Sequence, residues 1–371
     1  MIIKKNNLFG KPKRVLNFSS GPAILPEPVL KKASAEMLDW HGKGISVMEM
    51  SHRSDNFMQI YHETKKNFRK ILSIPKNFSL FFFQGGASVM NSIIPMNLLN
   101  KKLSADYVKT GEWSKRSIME AKKYCNVKIV ATSEDKNFTY IPDQSSWKLN
   151  KNSAFVHICS NETIGGVEFH WNPDTGNIPL VSDMSSHLLT KNLDFTCYDV
   201  IYAGAQKNMG IPGLTFVIVR NDLIKSALPI TPSIFNLEKQ YKNNSMLNTP
   251  PTYNIYIAGL IFEWLIEIGG IEIVEKMNIK KSSLLYNYID STDFYNNFVN
   301  KKDRSRVNIP FFLKDPNLEN KFLTMAEKEG FLHLNGHRSV GGLRASIYNA
   351  MPYEGVNKLV NFLKDFEKRF G

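Results

Sequence analysis

The stretch Phe78-Ser79-Leu80-Phe81-Phe82-Phe83-Gln84-Gly85-Gly86-Ala87-Ser88 decides how the fold of this chain is interpreted. The apolar run Phe78–Phe83 favours a buried strand, and a helical pattern follows the glycines and continues through Leu99. Glycines between a strand and a helix allow a sharp turn, and the free N–H groups at the start of a helix bind an anion. The spacing fits neither a P-loop nor a dinucleotide-binding fingerprint. An ordinary tight turn is the alternative interpretation.

Short apolar runs continue to alternate with longer helical patterns, such as Ser114–Tyr124, along the chain. The further strand candidates are Asp106–Val108, Val127–Ala131, Ala154–Cys159, Leu180–Asp183, Val200–Ala203 and Phe216–Val219. Together with the first run they predict an α/β fold with a mostly parallel seven-stranded sheet and helices on both faces. Because the last two strands are close in sequence, we expect one of them to run antiparallel at an edge.

A second unit is indicated beyond Gly269-Gly270. A long helical pattern precedes these glycines. The elements predicted after them are, in order, helix Ile271–Tyr288, strands Phe294–Phe298 and Asn308–Leu313, helix Leu318–Glu329, strand Leu343–Ile347 and helix Glu354–Arg369. We therefore predict a large domain at residues 26–268 and a smaller α+β domain at residues 269–371. Residues 1–25 are predicted to form an N-terminal segment that packs with the small domain. A cleft between two domains is a usual place for a small ligand.

Length and composition exclude several classes of protein. The chain has 371 residues, of which 43% are hydrophobic and 22% charged, as in an ordinary globular protein of two domains. Cys125, Cys159 and Cys197 are too few and too dispersed for a disulfide framework or a metal site, which favours a reduced, cytoplasmic compartment. No apolar run is long enough to span a membrane. Met1–Lys13 is basic without a signal-like apolar core, and we interpret it as a frayed tail.

The charge balance is strongly positive, with 47 basic against 34 acidic residues and a net charge of +13. A basic protein can bind nucleic acid, but that use of charge needs a basic stripe or patch. Here the lysines are scattered over the whole chain and are not interleaved with aromatic residues. We therefore expect no nucleic-acid partner, although the positive field attracts small anionic substrates.

Two polar residues follow strand candidates, where ligands of parallel sheets bind. Asp183 ends the run Leu180–Asp183, and Lys207 lies in Ala203-Gly204-Ala205-Gln206-Lys207-Asn208-Met209-Gly210. Separately, the first is consistent with a helix cap and the second with an ordinary loop lysine. Together with the glycine turn they match a pyridine cofactor, which needs a backbone cradle for its phosphate, a carboxylate for its ring nitrogen and a lysine for its aldehyde.

Arginine is scarce in this chain, yet it occurs next to histidine in two polar segments. His52-Arg53 lies in a polar turn, His337-Arg338 precedes a glycine-containing segment, and Arg344 follows in a strand candidate. Arginine forms planar bidentate pairs with carboxylate and phosphate groups. These residues indicate a substrate that carries both groups, although Arg53 in a surface salt bridge and Arg344 in a structural ion pair are the alternatives.

On these motifs the chain resembles the phosphoserine aminotransferase family, whose members are pyridoxal-phosphate enzymes of fold-type I. The resemblance covers nearly the whole chain in the right order. The matching segments are Asn17–Ala23, Met48–Arg53, Gln84–Ala87, Thr110–Ser114, Asn161–Gly166, Asp183–Ser186, Gly204–Gly210, Asn248–Thr252 and Gly336–Ala350.

The resemblance implies a role for each matching position. Lys207 would bind the aldehyde of pyridoxal phosphate and Asp183 its ring nitrogen, while Trp113 would stack on the ring and Thr163 would bond its phenolic oxygen. The cofactor phosphate would be held by Ala87, Ser88 and Gln206. The family also implies a homodimer with active sites at the subunit interface, where Asn248 and Thr249 would reach the cofactor phosphate of the other subunit.

The resemblance further implies how the substrate binds. Arg344 would bind the α-carboxylate, and His52 and Arg53, with His337 and Arg338 from the partner chain, would bind the substrate phosphate or the distal carboxylate of glutamate. Ser88 departs from the family pattern, because some members carry arginine there. A contact through the backbone N–H would make this change unimportant.

The implied activity is the reversible transfer of an amino group between glutamate and 3-phosphohydroxypyruvate in serine biosynthesis. The sequence leaves open whether phosphohydroxythreonine of the vitamin B6 pathway is also a substrate. An alanine–glyoxylate aminotransferase is the alternative, but the extra His-Arg pairs argue against a small uncharged substrate. A cysteine desulfurase would need a cysteine in a mobile glycine-rich loop, and none of the three lies in one.

Overall fold

The fold is described from a computed structural model, which covers residues 14–371; the predicted tail Met1–Lys13 lies outside the described residues. The strands are β1 (Leu16–Asn17), β2 (Phe78–Gln84), β3 (Ser104–Lys109), β4 (Asn126–Thr132), β5 (Val156–Cys159), β6 (Leu180–Asp183), β7 (Val200–Gly204), β8 (Leu214–Arg220), β9 (Tyr295–Asn296), β10 (Asn308–Leu313), β11 (Phe331–Leu332) and β12 (Leu343–Ser346). The α-helices are α1 (Glu27–Ala35), α2 (Asp55–Leu72), α3 (Met90–Leu98), α4 (Glu112–Ala121), α5 (Leu237–Lys242), α6 (Thr252–Glu267), α7 (Ile271–Ile289), α8 (Glu319–Lys328) and α9 (Tyr353–Phe370).

The large sheet has seven strands, as the sequence predicts, and their order is β2-β8-β7-β6-β5-β3-β4. Strands β3 to β7 pair in parallel, and β8 is antiparallel to both of its neighbours. The antiparallel strand is therefore not at the edge, and that detail of the prediction is wrong. The connection from β7 to β8 is short, and a short connection can join only antiparallel neighbours, because a parallel neighbour needs a long crossover. Strand β2 pairs with the other side of β8.

The strands of this sheet are buried because both faces are covered. Successive residues of one strand point to opposite faces, so Leu180 packs in one hydrophobic cluster and Val181 in another. Helices α2 and α6 pack against each other on the first face, and α3 and α4 cover the second. This two-sided burial explains why the strands are read in the sequence as continuous apolar runs.

A second, smaller layer follows α6. Strands β9, β10 and β12 form an antiparallel sheet in the order β12-β10-β9, and α7 packs against α9. The predicted strand Phe294–Phe298 is shorter here, at Tyr295–Asn296. Near the N-terminus, β1 pairs in parallel with β11, and Phe18 is buried in the core of this layer. The exact domain boundaries at residues 25 and 268 stay a prediction.

Other structural features of the described residues bear on the class of protein. No helix in residues 14–371 is long and apolar enough to cross a membrane. The same residues contain no group of three or more His, Cys, Asp or Glu side chains arranged to hold a metal ion. The three cysteines are free thiols.

Candidate active site

A cavity of about 290 Å³ lies at the carboxyl ends of the central strands. Asp183 ends β6, Gly204 ends β7, and the turn that begins at Gly85 follows β2. Ligands of open α/β sheets bind at this edge, because strand ends and helix starts meet there. The structure brings many of the predicted residues to its wall: Ala87, Ser88, Trp113, Thr163, Asp183, Gln206, Lys207, His337 and Arg344.

Asp183 presents a buried carboxylate to this cavity. Its Oδ1 accepts hydrogen bonds from the backbone N–H of Ser185 at 2.8 Å and from the Ser185 hydroxyl at 2.6 Å. Burial raises the pKa of Asp183, while the bonds from Ser185 and the charge of Lys207 lower it. These two hydrogen bonds close a local turn from Asp183 to Ser185. The turn fixes the orientation of the carboxylate at the end of the strand.

Lys207 reaches the cavity from the loop after β7. Its Nζ donates to Thr163 Oγ1 at 2.5 Å and lies 5.4 Å from the centroid of the Trp113 ring. Burial lowers the pKa of Lys207, while the negative charge of Asp183 opposes that shift. A lysine with a lowered pKa and one engaged donor suits the role of nucleophile or proton acceptor.

The glycine turn packs tightly against the end of β7. A Cβ placed on Gly204 would lie 3.3 Å from the backbone nitrogen of Ala87, so a larger residue there would require the turn to shift by a few tenths of an ångström. Ala87–Val89 form a single 3-10 turn ahead of α3. The first N–H groups of a helical segment have no acceptor within the segment, and here they are available to an anion in the cavity.

Trp113 lies in the first turn of α4 and forms another part of the cavity wall. Its backbone N–H donates to Glu162 Oε2 at 3.0 Å. The guanidinium carbon of Arg116 lies 4.8 Å from the centroid of the Trp113 ring, so two cations, Arg116 and Lys207, lie near the indole. The indole therefore offers an electron-rich surface for a flat cationic ligand.

Arg344, on β12, closes the cavity from the small layer and is only 8% exposed. Its Nη2 donates to the hydroxyl of Ser20 at 2.9 Å, and Nη1 lies 3.5 Å from the carbonyl oxygen of Thr163. Burial lowers the pKa of Arg344. A buried guanidinium whose partners are neutral oxygens is suited to bind a carboxylate from a ligand.

His337 lies on the wall of the same cavity as Lys207, within one chain. The assignment of His337 to the partner's site, which the resemblance implies, stays a prediction. The Nδ1 atom of His337 lies 2.7 Å from the Ser339 hydroxyl, and burial together with nearby positive charge lowers the pKa of His337. Arg338 is exposed and does not line the cavity.

Besides Arg338, four predicted residues do not line this cavity: His52, Arg53, Asn248 and Thr249. His52 and Arg53 precede α2 in a turn where the Arg53 backbone N–H donates to Ser51 Oγ. Asn248 is half-buried, and the carbonyl oxygen of Thr249 accepts a hydrogen bond from the Gln84 side chain. The geometry of a single chain therefore gives these residues no contact with the cavity.

Several residues that line the cavity have no role predicted from the sequence. Ser20, Asn161, Ser185 and Ser186 line the cavity, and Glu162 is buried behind Trp113. A local signal existed for Ser185, because Asp followed two residues later by Ser favours a side-chain turn. The contact between Ser20 and Arg344 spans 324 positions and leaves no local pattern in the sequence.

Comparison with known proteins places the chain in a family. The aminotransferase class-V family model matches residues 15–359. A phosphoserine aminotransferase from Janthinobacterium sp. (strain Marseille) is 56% identical over 362 residues, which cover 97% of this chain and 100% of that protein. The structure of a phosphoserine aminotransferase from Bacillus circulans subsp. alkalophilus superposes with a TM-score of 0.95 at 43% identity, covering 97% of this chain and 100% of that one. A pyridoxal-phosphate-bound phosphoserine aminotransferase from Trichomonas vaginalis has a TM-score of 0.91 at 39% identity, covering 95% and 100%.

The fold and the site therefore define a class-V aminotransferase, a transaminase that depends on pyridoxal phosphate. Within that class the chain belongs to the phosphoserine aminotransferase family. The recognition from sequence motifs, the fold class and the cofactor are confirmed. The alternative of an alanine–glyoxylate aminotransferase gains no support from these relatives.

The residues of the cavity fit pyridoxal phosphate on their own chemistry. Neither Asp183 nor Arg344 forms an ion pair within residues 14–371. In the same residues Trp113 Nε1 and Arg344 Nε are buried without a hydrogen-bond partner. Buried charges and donors of this kind are compensated by a ligand, and a flat cation that also bears an anionic group complements this set.

Proposed function

We propose that the chain transfers an amino group reversibly between glutamate and 3-phosphohydroxypyruvate, yielding 2-oxoglutarate and O-phospho-L-serine. The observation that carries this proposal is the convergence of Lys207, Asp183 and the carboxylate-binding Arg344 on one cavity. The first two suit a pyridine cofactor, and the third suits an amino-acid substrate. The product places the enzyme in serine biosynthesis.

Each cofactor contact follows from a group in the cavity. Pyridoxal phosphate, when bound, supplies an aldehyde that captures amino groups and a ring that accepts electron density. Asp183 would hold the ring N–H, since its carboxylate is buried and fixed by Ser185. Thr163 would hold the phenolic oxygen, and Trp113 would cover the ring. Ala87, Ser88 and Gln206 would hold the phosphate through backbone and amide donors.

Lys207 is the group that moves the proton. Its Nζ would bind the aldehyde at rest and would take the α-proton of the amino acid once the substrate has displaced it. Burial lowers the pKa of Lys207, which keeps a larger fraction of the amine unprotonated. The hydrogen bond to Thr163 sets the direction of Nζ.

The substrate would be oriented by cations on the opposite wall. Arg344 would bind the α-carboxylate, because within residues 14–371 it forms no ion pair and its Nε has no hydrogen-bond partner. His337 would bind the substrate phosphate or the distal carboxylate of glutamate. Arg338, exposed beside His337, would add positive charge at the entrance.

We further propose a homodimer that completes the site. His52, Arg53, Asn248 and Thr249 are polar, lie outside their own cavity and suit a contact with the cavity of a second copy. Exposed apolar side chains occur in the segments that precede each of these two pairs, and they would be covered in the dimer: Leu38, Met48, Ile230, Ile234 and Tyr241. This assigns His52 and Arg53 to the partner's substrate and His337 to its own.

The partners of this enzyme would be small molecules and a second copy of the chain, with no nucleic acid or membrane involved. We place it in the cytoplasm because its three cysteines remain free thiols, as is usual in a reducing compartment.

The test is a pair of half-reactions followed by visible absorbance. The enzyme loaded with pyridoxal phosphate should be yellow, lose the band near 400 nm on addition of glutamate, and regain it with 3-phosphohydroxypyruvate. Glyoxylate and pyruvate serve as controls and should restore the band much more slowly. Equal rates with glyoxylate would contradict the proposed substrate.

A further inference from the structure

A second carboxylate lies behind the cavity, at Glu162, which is fully buried. Its Oε2 accepts a hydrogen bond from the backbone N–H of Trp113 at 3.0 Å. Its Oε1 accepts from the backbone N–H of Ser114 at 2.9 Å and from the Ser114 hydroxyl at 2.7 Å. One side chain thus holds the first turn of α4, where helix N–H groups otherwise lack acceptors.

Glu162 is itself held in a rigid place. Its backbone N–H donates to the carbonyl oxygen of Val167 at 2.9 Å, and its carbonyl oxygen accepts from the N–H of Gly166 at 2.8 Å. The next residue, Thr163, accepts the hydrogen bond from Lys207. Two consecutive residues therefore position two groups that line the cavity. Glu162 holds the residue that carries the indole, Trp113, and Thr163 holds the amine of Lys207.

Gly111, the residue before α4, lies close against the carboxylate. A Cβ on Gly111 would lie 2.5 Å from Glu162 Cδ and 2.7 Å from its Oε2. Glycine at this position therefore allows the carboxylate to reach both N–H groups of α4. The Ser114 hydroxyl also accepts the N–H of Thr110 at 2.9 Å and the N–H of Gly111 at 3.0 Å, which ties the preceding turn to the same place.

We propose that Glu162 is a positioning residue, which sets the indole of Trp113 against the cofactor ring by anchoring the first turn of α4. Glu162 does not line the cavity, so it acts through Trp113 and not by contact with cofactor or substrate. This inference rests on the role given to Trp113 in the proposed function.

Two variants disturb the hydrogen bonds of the carboxylate in different ways. Glu162→Gln keeps the shape but leaves one carbonyl oxygen and an NH₂ group, so one of the three donors meets another donor. Gly111→Ala keeps the charge but pushes the carboxylate away from α4. Because the proposed anchoring depends on these hydrogen bonds, both variants should loosen the first turn of α4.

The first readout needs no activity. Hydrogen–deuterium exchange of the peptide spanning residues 110–118 is measured in the full chain, without added cofactor and again with saturating pyridoxal phosphate. Loss of a hydrogen bond to a buried charged group should lower the protection of the Trp113 and Ser114 amides about tenfold in both variants, with or without cofactor. The second readout is the dissociation constant of pyridoxal phosphate, which should rise about tenfold, because small displacements of a positioned group are costly.

Asp106→Asn is the matched control. Asp106 is also fully buried and also accepts a backbone N–H, from Asn150 at 2.7 Å, and a serine hydroxyl, from Ser153. It does not line the cavity. This variant should lose stability while the protection at residues 110–118 and the affinity for pyridoxal phosphate stay within twofold of wild type.

The results distinguish a failure of the inference about Glu162 from a failure of the role proposed for Trp113. Unchanged amide protection in Glu162→Gln overturns the inference, and so does an equal loss in Asp106→Asn. Reduced protection with unchanged cofactor affinity also overturns it, provided that Trp113→Ala weakens cofactor binding. If Trp113→Ala leaves cofactor binding unchanged, the role of Trp113 in the proposed function fails and the inference fails with it.

Discussion

Two lysines of the interior, the half-buried Lys207 and the fully buried Lys281, differ in what surrounds them. Lys281, on α7, is fully buried, and its Nζ donates to the carbonyl oxygens of Ile347 at 3.0 Å, Tyr348 at 2.7 Å and Met351 at 3.0 Å. Within residues 14–371, the amino group of Lys207 donates to Thr163 alone, and it faces a cavity with Asp183 nearby. Burial lowers the pKa of both amines.

The difference teaches that burial by itself does not make a lysine reactive. At Lys281 three carbonyl oxygens take up the donors of the amino group, so it fastens the segment after β12 to α7. At Lys207 donors remain free beside an open space, so a ligand can approach Nζ. The predictions below test this distinction between a structural and a chemical lysine.

The largest effect is expected for Lys207→Ala. The variant should lose at least about 10³-fold in turnover, because no other group in the cavity can both bind the aldehyde and move the α-proton. Its urea midpoint should stay close to that of wild type, since few hydrogen bonds are lost. Steady-state kinetics and urea unfolding measure the two properties, and full retained activity would remove Lys207 from the mechanism.

Arg344 extends the comparison to a buried cation with spare donors. Arg344→Ala should lower kcat/KM about 100-fold for both glutamate and phosphoserine, because a buried charged hydrogen-bond pair with the α-carboxylate is lost. His337→Ala is the matched contrast, since it should weaken phosphoserine more than glutamate. An equal loss for both substrates in His337→Ala would contradict its assignment to the distal group.

Lys281→Met is expected to change stability and not chemistry. Removing the amino group leaves three buried carbonyl oxygens without a donor, although it also removes a buried amine, so we expect a net loss of about 2 kcal/mol in the free energy of unfolding. Urea denaturation measures this loss. The yellow colour and kcat of the folded variant should match wild type; a colourless variant would place Lys281 in the active site.

The smallest effect is the pH dependence that Lys281 gives to stability. Burial lowers its pKa to about 7 in the folded chain, whereas an unfolded lysine titrates near 10.4. Between these values the unfolded chain binds the proton and the folded chain does not, so this group makes stability rise with pH. The slope should be about 1 kcal/mol per pH unit between pH 8 and 9.

This dependence is isolated by comparing wild type with Lys281→Met in urea at several pH values. As pH rises, the free energy of unfolding of wild type should increase relative to that of Lys281→Met. A difference that stays constant from pH 7 to 9.5 would mean that Lys281 keeps an ordinary pKa in the folded chain.

Much of the fold could be predicted because its signals are local. The strand Leu180–Asp183 has the predicted bounds, and the helix predicted at Glu354–Arg369 is observed at Tyr353–Phe370. β11 was missed, since two residues are too few to show a period. The position of β8 inside the sheet was also missed, because strand order depends on pairing between distant segments.

The sequence by itself determined the succession of strands and helices along the chain. It also determined the residue types at the strand ends, including Asp183 and Lys207. Periodicity records local backbone geometry and burial, so these features are visible without the fold. Only the tertiary structure decided that Glu162 meets Trp113, 49 positions away, and that His337 faces the cavity of its own chain. It also decided that Lys281 is buried while its neighbour Lys280 is exposed. Such contacts arise from packing between remote segments, and packing has no signature in the neighbouring sequence.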